Sequence, residues 1–412
     1  MRILTILISL ILIINGAMAG GFKLYLMGQR QLGMGVASTA LAQDASAGYF
    51  NPGALVFTPH RANLLFGGTA IRPITQYAGL PPSAYVTAMD TVVITPIYLY
   101  GSWKGKKDTP LGRWALGFSL TNPFGSTTRW PDDWKGKYLT QEFAINTLAL
   151  QSTLSFKVTP KLGIGVGFRY LAGTLLGRKA LPNTSSNGAD GNAQYSGTGA
   201  AWGLSLGMYA ALSDKVNLGI TYRSRMSIPL DSGIIRFTVP PSLTSQYPDQ
   251  SFYSEIPLPS ELNLGLSYRP QERLLLSFEV QWVGWQVFDS LHIYLQEEVP
   301  GFTTYPERAF KNTVNFRLGG EYSLSTNTMI RAGGYFKNSP VPQLYVSPEL
   351  PDANSIGITA GFSWRIIRNL TLDLAYVYEY TGERTSSFSA GGFGGIYRST
   401  QSNLGIGLGY VF

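Results

Sequence analysis

The chain has 412 residues, no cysteine, 47 glycines and a formal net charge of +8. Only 14% of it is charged, against a usual quarter, while aromatic residues reach 13%; that balance suits a surface facing lipid. The lack of cysteine removes disulfide, zinc-thiolate and thiol-redox chemistry, and basic residues scattered singly exclude the clustered face that nucleic-acid binding needs.

In chain order, Met1-Arg2, the apolar run Ile3 to Ile14 and the small-x-small triplet Ala17-Met18-Ala19 read as a secretory signal peptide over 1–19, with a mature start at Gly20. The run falls short of the roughly twenty apolar residues of a bilayer-spanning helix, and no later uncharged run reaches that length. A helical membrane protein is excluded. Residues 20–59 are rich in Gly, Ala and Ser, lack strict alternation, and carry only Lys23, Arg30 and Asp44 as charges. Within them AQDASAGYFNPGALVF, residues 42–57, holds the turn triplet Asn51-Pro52-Gly53.

From residue 60 the dominant pattern is alternation with period two, the mark of strands with one apolar face. Leu262, Leu264, Leu266 and Tyr268 alternate with Glu261, Asn263, Gly265 and Ser267; Leu404, Ile406, Leu408, Tyr410 and Phe412 alternate with small or polar residues. About fourteen such segments are expected, near 61–72, 91–104, 112–122, 141–157, 162–177, 194–213, 215–228, 259–268, 272–285, 309–323, 327–338, 354–366, 369–381 and 400–412. Short connections such as Thr159-Pro160-Lys161 and Ser213-Asp214 take turns with long ones, including Gly177 to Ala193, Val239 to Pro259 and Pro300 to Phe310. Alternating loop length on an even strand count points to an all-β fold, a transmembrane β-barrel of about 14 antiparallel strands, which satisfies every backbone hydrogen bond in lipid. The barrel spans 60–412. The leftover 20–59 is then a candidate hatch plugging the lumen.

Trp282, Trp285 and Tyr376 to Tyr380 are expected in interfacial girdles. Arg169, Arg223, Glu279, Arg317, Glu321, Arg331, Asp373 and Glu379 fall on the inward parity. Each arginine among them has inward acidic neighbours with which to pair. Pro123 cannot donate a ladder hydrogen bond, so a proline there ends or kinks the third strand, at Ser119, Leu120, Asn122, Pro123 and Phe124.

The blocks LGMG, AQDASAGYFNPGAL, LTNPFG (120–125), DDWKGKYLTQ (132–141), IPLPSELNLGLSYRP (256–270), an S-P-V-P and a later L-P-D-A-N, in this order and spacing, resemble the FadL-type family of outer-membrane transporters for long-chain fatty acids and other hydrophobic compounds. The resemblance implies a fourteen-stranded barrel with an N-terminal hatch, passive uptake through a lumenal pocket, and lateral release through a wall gap at the third-strand kink. It implies gate residues Asn51, Pro52 and Gly53 facing that kink, with Gly53 standing where the family has Ala and allowing a looser turn. Phe22 would lie near the pocket, and Arg169, Arg223, Arg317 and Arg331 are candidates to meet an anionic headgroup. The terminal Phe412 resembles the signal read by the outer-membrane assembly machinery. The expected setting is the outer membrane of a Gram-negative bacterium, as a monomer among lipid and lipopolysaccharide, binding a hydrophobic small molecule.

A departure from the family is the polar loop GRKALPNTSSNGADGNA (177–193), so capture would fall to 239–259 or 300–310. Only His60 and His292 exist, with no triad or metal pair, so no catalytic role and no cofactor are expected; a lipid-modifying enzyme is the remote alternative. A diffusion porin for small polar solutes is the nearer one. The apolar plug speaks against it, because a porin keeps an open polar bore.

Overall fold

The computed structural model describes residues 20–106, 108–182, 184, 188–300, 302, 308–387 and 392–412. The strands are β1 (Ala62–Gly79), β2 (Val86–Ala88), β3 (Ile97–Lys104), β4 (Trp114–Thr121), β5 (Gly125–Arg129), β6 (Glu142–Thr159), β7 (Leu162–Leu181), β8 (Gly191–Ala211), β9 (Val216–Arg223), β10 (Met226–Thr238), β11 (Gln250–Leu258), β12 (Glu261–Gln271), β13 (Leu274–Val283), β14 (Ile293–Leu295), β15 (Thr313–Ser323), β16 (Thr328–Lys337), β17 (Ser355–Ile367), β18 (Leu370–Ser386) and β19 (Gly395–Val411). They form one antiparallel sheet. Five wall strands are split by kinks into the pairs β2/β3, β4/β5, β9/β10, β11/β12 and β13/β14, and the result is a closed barrel of 14 strands. Closure runs through β1 and β19, in register from Asn63↔Val411 to Gly79↔Gly395.

The alternation seen in the sequence becomes two faces. In β12, Leu262, Leu264, Leu266 and Tyr268 are exposed to the outside, while Glu261, Asn263 and Ser267 are buried inside. Tyr376, Tyr378 and Tyr380 stand outward on β18. Trp282 does the same, but its expected girdle partner Trp285 is fully buried: the wall strand bends at Gly284 into a 3-10 turn, Trp285–Val287, which carries the indole into the lumen.

Several walls are longer than the apolar pattern. The segment read as a loop at 177–193 instead continues the β7–β8 ladder from Gly177↔Tyr195 to Leu181↔Gly191, and much of 239–259 is β11, paired to β10 and β14. Alternation is selected where lipid bathes one face; a ladder rising above the bilayer keeps its hydrogen bonds without it. The second strand, expected from 91, is instead split: its ladders with β1 cover Val86–Ala88 and Ile97–Trp103, and between them Ile94 alone bridges to Ile71. Of the stretch 300–310, residues 301 and 303–307 lie outside the described residues, while Phe302, Arg308 and Phe310 are buried.

Residues 20–59 fold as short turns, Gln29–Gly33, Ala47–Phe50 and the 3-10 turn Pro52–Phe57. Their bonds reach inward groups around the ring. Gln29 Nε2 donates to Gly68 O (3.0 Å) on β1, Ser267 Oγ on β12 to Ala40 O (3.0 Å), Ser277 Oγ on β13 to Ala37 O (2.7 Å), and Thr359 Oγ1 on β17 to Gly33 O (3.1 Å). Contact this close needs wall positions without side chains. A Cβ on Gly319 would lie 2.0 Å from Met34 O, and one on Gly219 2.0 Å from Thr39 O.

Candidate functional site

The third wall strand breaks between β4 and β5. β4 is paired on both sides, to β3 and β6, whereas β5 has a ladder only with β6. Pro123 brings no N–H to this break, and Asn122 spans it: its Oδ1 accepts from Ile97 N (2.9 Å) and its Nδ2 donates to Thr147 O (2.8 Å). Just before the break, Ser119 is buried facing inward and Leu120 sits in register with Leu99 and Leu150. Residues 22–24 run alongside. Leu24 N donates to Pro123 O (2.9 Å) and Gly125 N to Phe22 O (2.8 Å), with a bridge between Lys23 and Phe124.

This geometry corrects the expected pairing of gate and kink. Residues 22–24 meet Pro123; Asn51-Pro52-Gly53 lies instead on the inner face of β7 and β8. Asn51 Nδ2 donates to Thr39 O (2.8 Å) and Met208 O (2.9 Å), and its Oδ1 accepts from Gly53 N (3.0 Å). Pro52 packs on Gly165 and Gly207. Gly53 is not needed for a left-handed turn, since its φ is not positive. It is needed for space, because a Cβ there would come within 2.9 Å of Gly163 O, Gly207 O and Met208 Cα.

Phe22 and Phe124, predicted separately, come together. The Phe22 ring centre lies 5.9 Å from Phe124, 4.9 Å from Trp285 and 5.2 Å from Phe288, and Phe288 continues to Phe310 (4.9 Å). This is one end of a buried apolar cluster that includes Leu171, Leu175, Ile228 and Leu230 and reaches Trp130, Trp134 and Tyr77. Sequence periodicity missed Trp130, Trp134 and Phe288, which lie in irregular segments; the tryptophans of RWPDDW were their one signal. Beside the cluster a cavity of about 180 Å³ opens between residues 20–26, β5, and the loop holding Leu350 and Asp352. Asp352 Oδ2 accepts from Gly21 N (3.1 Å) and from Ser339 Oγ (2.8 Å). Burial pushes its carboxyl up to about 6.

Below the cluster the lumen is ionic. Lys23 pairs with Glu261, which also takes Arg223 Nη1 (3.1 Å). Arg317 reaches Glu279 and Gln281 (both 2.5 Å), and Glu279 accepts Ser38 N and Thr39 N (3.0 and 2.9 Å). Glu321 joins Arg331 (2.7 Å) to Arg30 (2.6 Å). Three of the four candidate arginines are thus occupied. Arg169 departs from the expectation that each would find an acid: it is buried, in no ion pair among the described residues, and its Nε and Nη2 lack hydrogen-bond partners there. Its neighbours on the inward parity, Gly167 and Leu171, offer none.

At the chain's end Phe412 is exposed, its N–H donating to Ala62 O (3.0 Å) beside the closing ladder.

A closed barrel with a lipid-facing exterior and an apolar cluster within its lumen defines an outer-membrane transport barrel. The chain belongs to the outer membrane protein transport protein family (OMPP1/FadL/TodX), whose family model matches residues 10–407. It is 23% identical over 400 residues to the long-chain fatty acid transport protein of Salmonella typhi, covering 90% of each chain, and 22% identical over 412 residues to that of Escherichia coli K12, again 90% of each. Among solved structures, a Pseudomonas aeruginosa FadL homologue matches with a TM-score of 0.82 at 18% identity, over 95% of this chain and 100% of that one. The Pseudomonas putida toluene transporter TodX matches with a TM-score of 0.70 at 15% identity, over 97% and 99%. At these identities the structural likeness is one of fold. Membership places the protein in the outer membrane, in a family that transports hydrophobic compounds.

Proposed function

We propose that the protein takes up a hydrophobic small molecule passively, with no catalytic step, and that residues 20–59 are its hatch. The observation that carries this reading is the aromatic end of the apolar cluster. Phe22, on the N-terminal segment rather than on the wall, closes against Phe124, Trp285 and Phe288. An apolar ligand can replace Phe22 there at little cost in transfer free energy, since one apolar surface is exchanged for another. The one-sided ladder of β5 supplies the candidate lateral exit, so release into the bilayer requires residues 22–24 to leave Pro123.

Within this reading Arg169 is the headgroup partner, because it alone of the four candidates holds no carboxylate among the described residues, its Nε and Nη2 being without partners, whereas Arg223, Arg317 and Arg331 each hold one. A fatty acid would use it, and an uncharged aromatic would not. Uptake of labelled oleate and labelled toluene into cells or proteoliposomes carrying the protein, compared with Arg169→Gln, tests both parts. Loss of oleate uptake alone assigns a carboxylate ligand, equal retention of both removes Arg169 from the site, and no uptake of either sinks the proposal. In a planar bilayer, a large steady ohmic current would favour the polar-solute porin instead.

A further inference from the structure

The lipid face of the barrel carries a groove of about 610 Å³ across β4, β6, β7, β8 and β9, lined by Trp114, Phe156, Ile164, Leu206, Met208 and Tyr222. The backbones of Gly165 and Gly207 form part of its floor, and on their inner side sits Pro52. Trp114 and Phe156 close one end, with ring centres 4.5 Å apart. Trp114, Phe156, Ile164 and Met208 lie near the ends of their strands that join the short turns, with Leu206 and Tyr222 further up the wall.

At that end the groove meets fixed positive charge. The Arg113 guanidinium lies 4.7 Å from the Phe156 ring centre and is held by Nε donating to Lys157 O (3.0 Å) and Nη2 to Val158 O (2.8 Å). Exposed Lys161 and Lys215 occupy the next two short turns, β6–β7 and β8–β9. None of the three is in an ion pair among the described residues, and the acid in those two turns, Asp214, is itself exposed. An apolar slot ending in unpaired cations matches a molecule whose acyl chain adjoins a phosphate. A bilayer supplies that molecule at the very depth where the groove lies.

We propose that this groove seats an acyl chain of an anionic phospholipid of the periplasmic leaflet, with Arg113, Lys161 and Lys215 gathered around its phosphate. The apolar part would accept any phospholipid; the cations would select the net negative headgroup, each contributing about fivefold. Occupancy would press on the wall directly behind the Asn51-Pro52-Gly53 turn.

Native mass spectrometry of the full-length, detergent-solubilised protein, titrated separately with palmitoyl-oleoyl phosphatidylglycerol and phosphatidylcholine, tests this. The expected result is phosphatidylglycerol retention at least about tenfold stronger, lost in Arg113→Gln/Lys161→Gln/Lys215→Gln. Met208→Trp, which fills the slot, should lower retention of both lipids. Heat-modified gel mobility confirms folding of each variant. Equal retention of the two lipids by the wild type would overturn the proposal. So would an unchanged preference in the triple variant, or a preference lost equally in Arg365→Gln/Arg368→Gln at the β17–β18 end of the wall, which would mean diffuse surface charge.

Discussion

The lumen holds two regions built on opposite principles. Around Phe22, Trp285 and Phe288 it is held by apolar contact without direction; around Glu261, Glu279 and Glu321 it is held by charged groups in fixed geometry. An apolar contact can be remade with a different apolar partner, while a buried ion deprived of its partner has nowhere to go. The difference teaches where the chain can yield: the apolar contact of Phe22 is replaceable, while Lys23 beside it and Arg30 further along are anchored by ion pairs.

The largest effect is expected from breaking the anchored region. Glu261→Gln leaves Lys23 and Arg223 buried without their carboxylate, a loss of about 3–5 kcal/mol. Hydrogen exchange across 20–59 should rise and planar-bilayer current should increase, while the barrel remains heat-resistant; unchanged exchange would mean that the ion pairs do not hold the segment. Phe22→Ala attacks the other region. Large-to-small aromatic changes in a core cost about 3–5 kcal/mol at most, and less where a ligand fills the space, so added oleate should recover part of the lost thermal stability of 20–24. If apolar ligand recovers none, the cluster is packing alone.

Gly53→Val is a smaller perturbation. Its side chain would meet backbone of β7 and β8, an overpacking cost of about 1–3 kcal/mol. Ligand uptake should fall with barrel folding intact, and unchanged uptake would reduce the triplet to a turn.

The mildest change is with pH. Burial pushes the Asp352 carboxyl up to about 6 in the docked arrangement, against the opposing effect of the Gly21 N–H, which prefers the carboxylate; the docked arrangement is therefore favoured fully below the ordinary value near 3.8, and that stabilisation is lost as pH rises through about 6. Exchange at residues 20–24, corrected for intrinsic rate, should therefore be slower at pH 5 than at pH 7.5. Asp352→Asn should remove that part of the difference; an identical profile in the variant would show that the carboxyl does not set it.

The barrel was legible because lipid imposes a period of two on every wall: the alternation of Leu262 to Tyr268 names its own faces. Arg317 and Glu279 could be placed inside by the same parity. Their pairing could not, since it depends on register between strands, here Glu279↔Arg317. The N-terminal segment was recognisable by what it lacked, charge and alternation, but not its internal path. Asn51-Pro52-Gly53 and Pro123 are both turn-forming, and turn chemistry does not say against which strand a turn rests. Trp285 shows the converse error: an aromatic at a strand end reads as a girdle unless a bend after Gly284 is foreseen. Arg169 reads as one inward charge among several, and only three-dimensional neighbours reveal it as the arginine without an acid.

An unpaired strand edge ordinarily invites a foreign chain. β5 is such an edge inside an otherwise closed wall, and Phe22 and Lys23, with Leu24 beside Pro123, add themselves to its lower end as a short donated strand. The wall is thus completed by residues 22–24 of the N-terminal segment, so their spacing to the rest of that segment is under a constraint that an ordinary loop escapes.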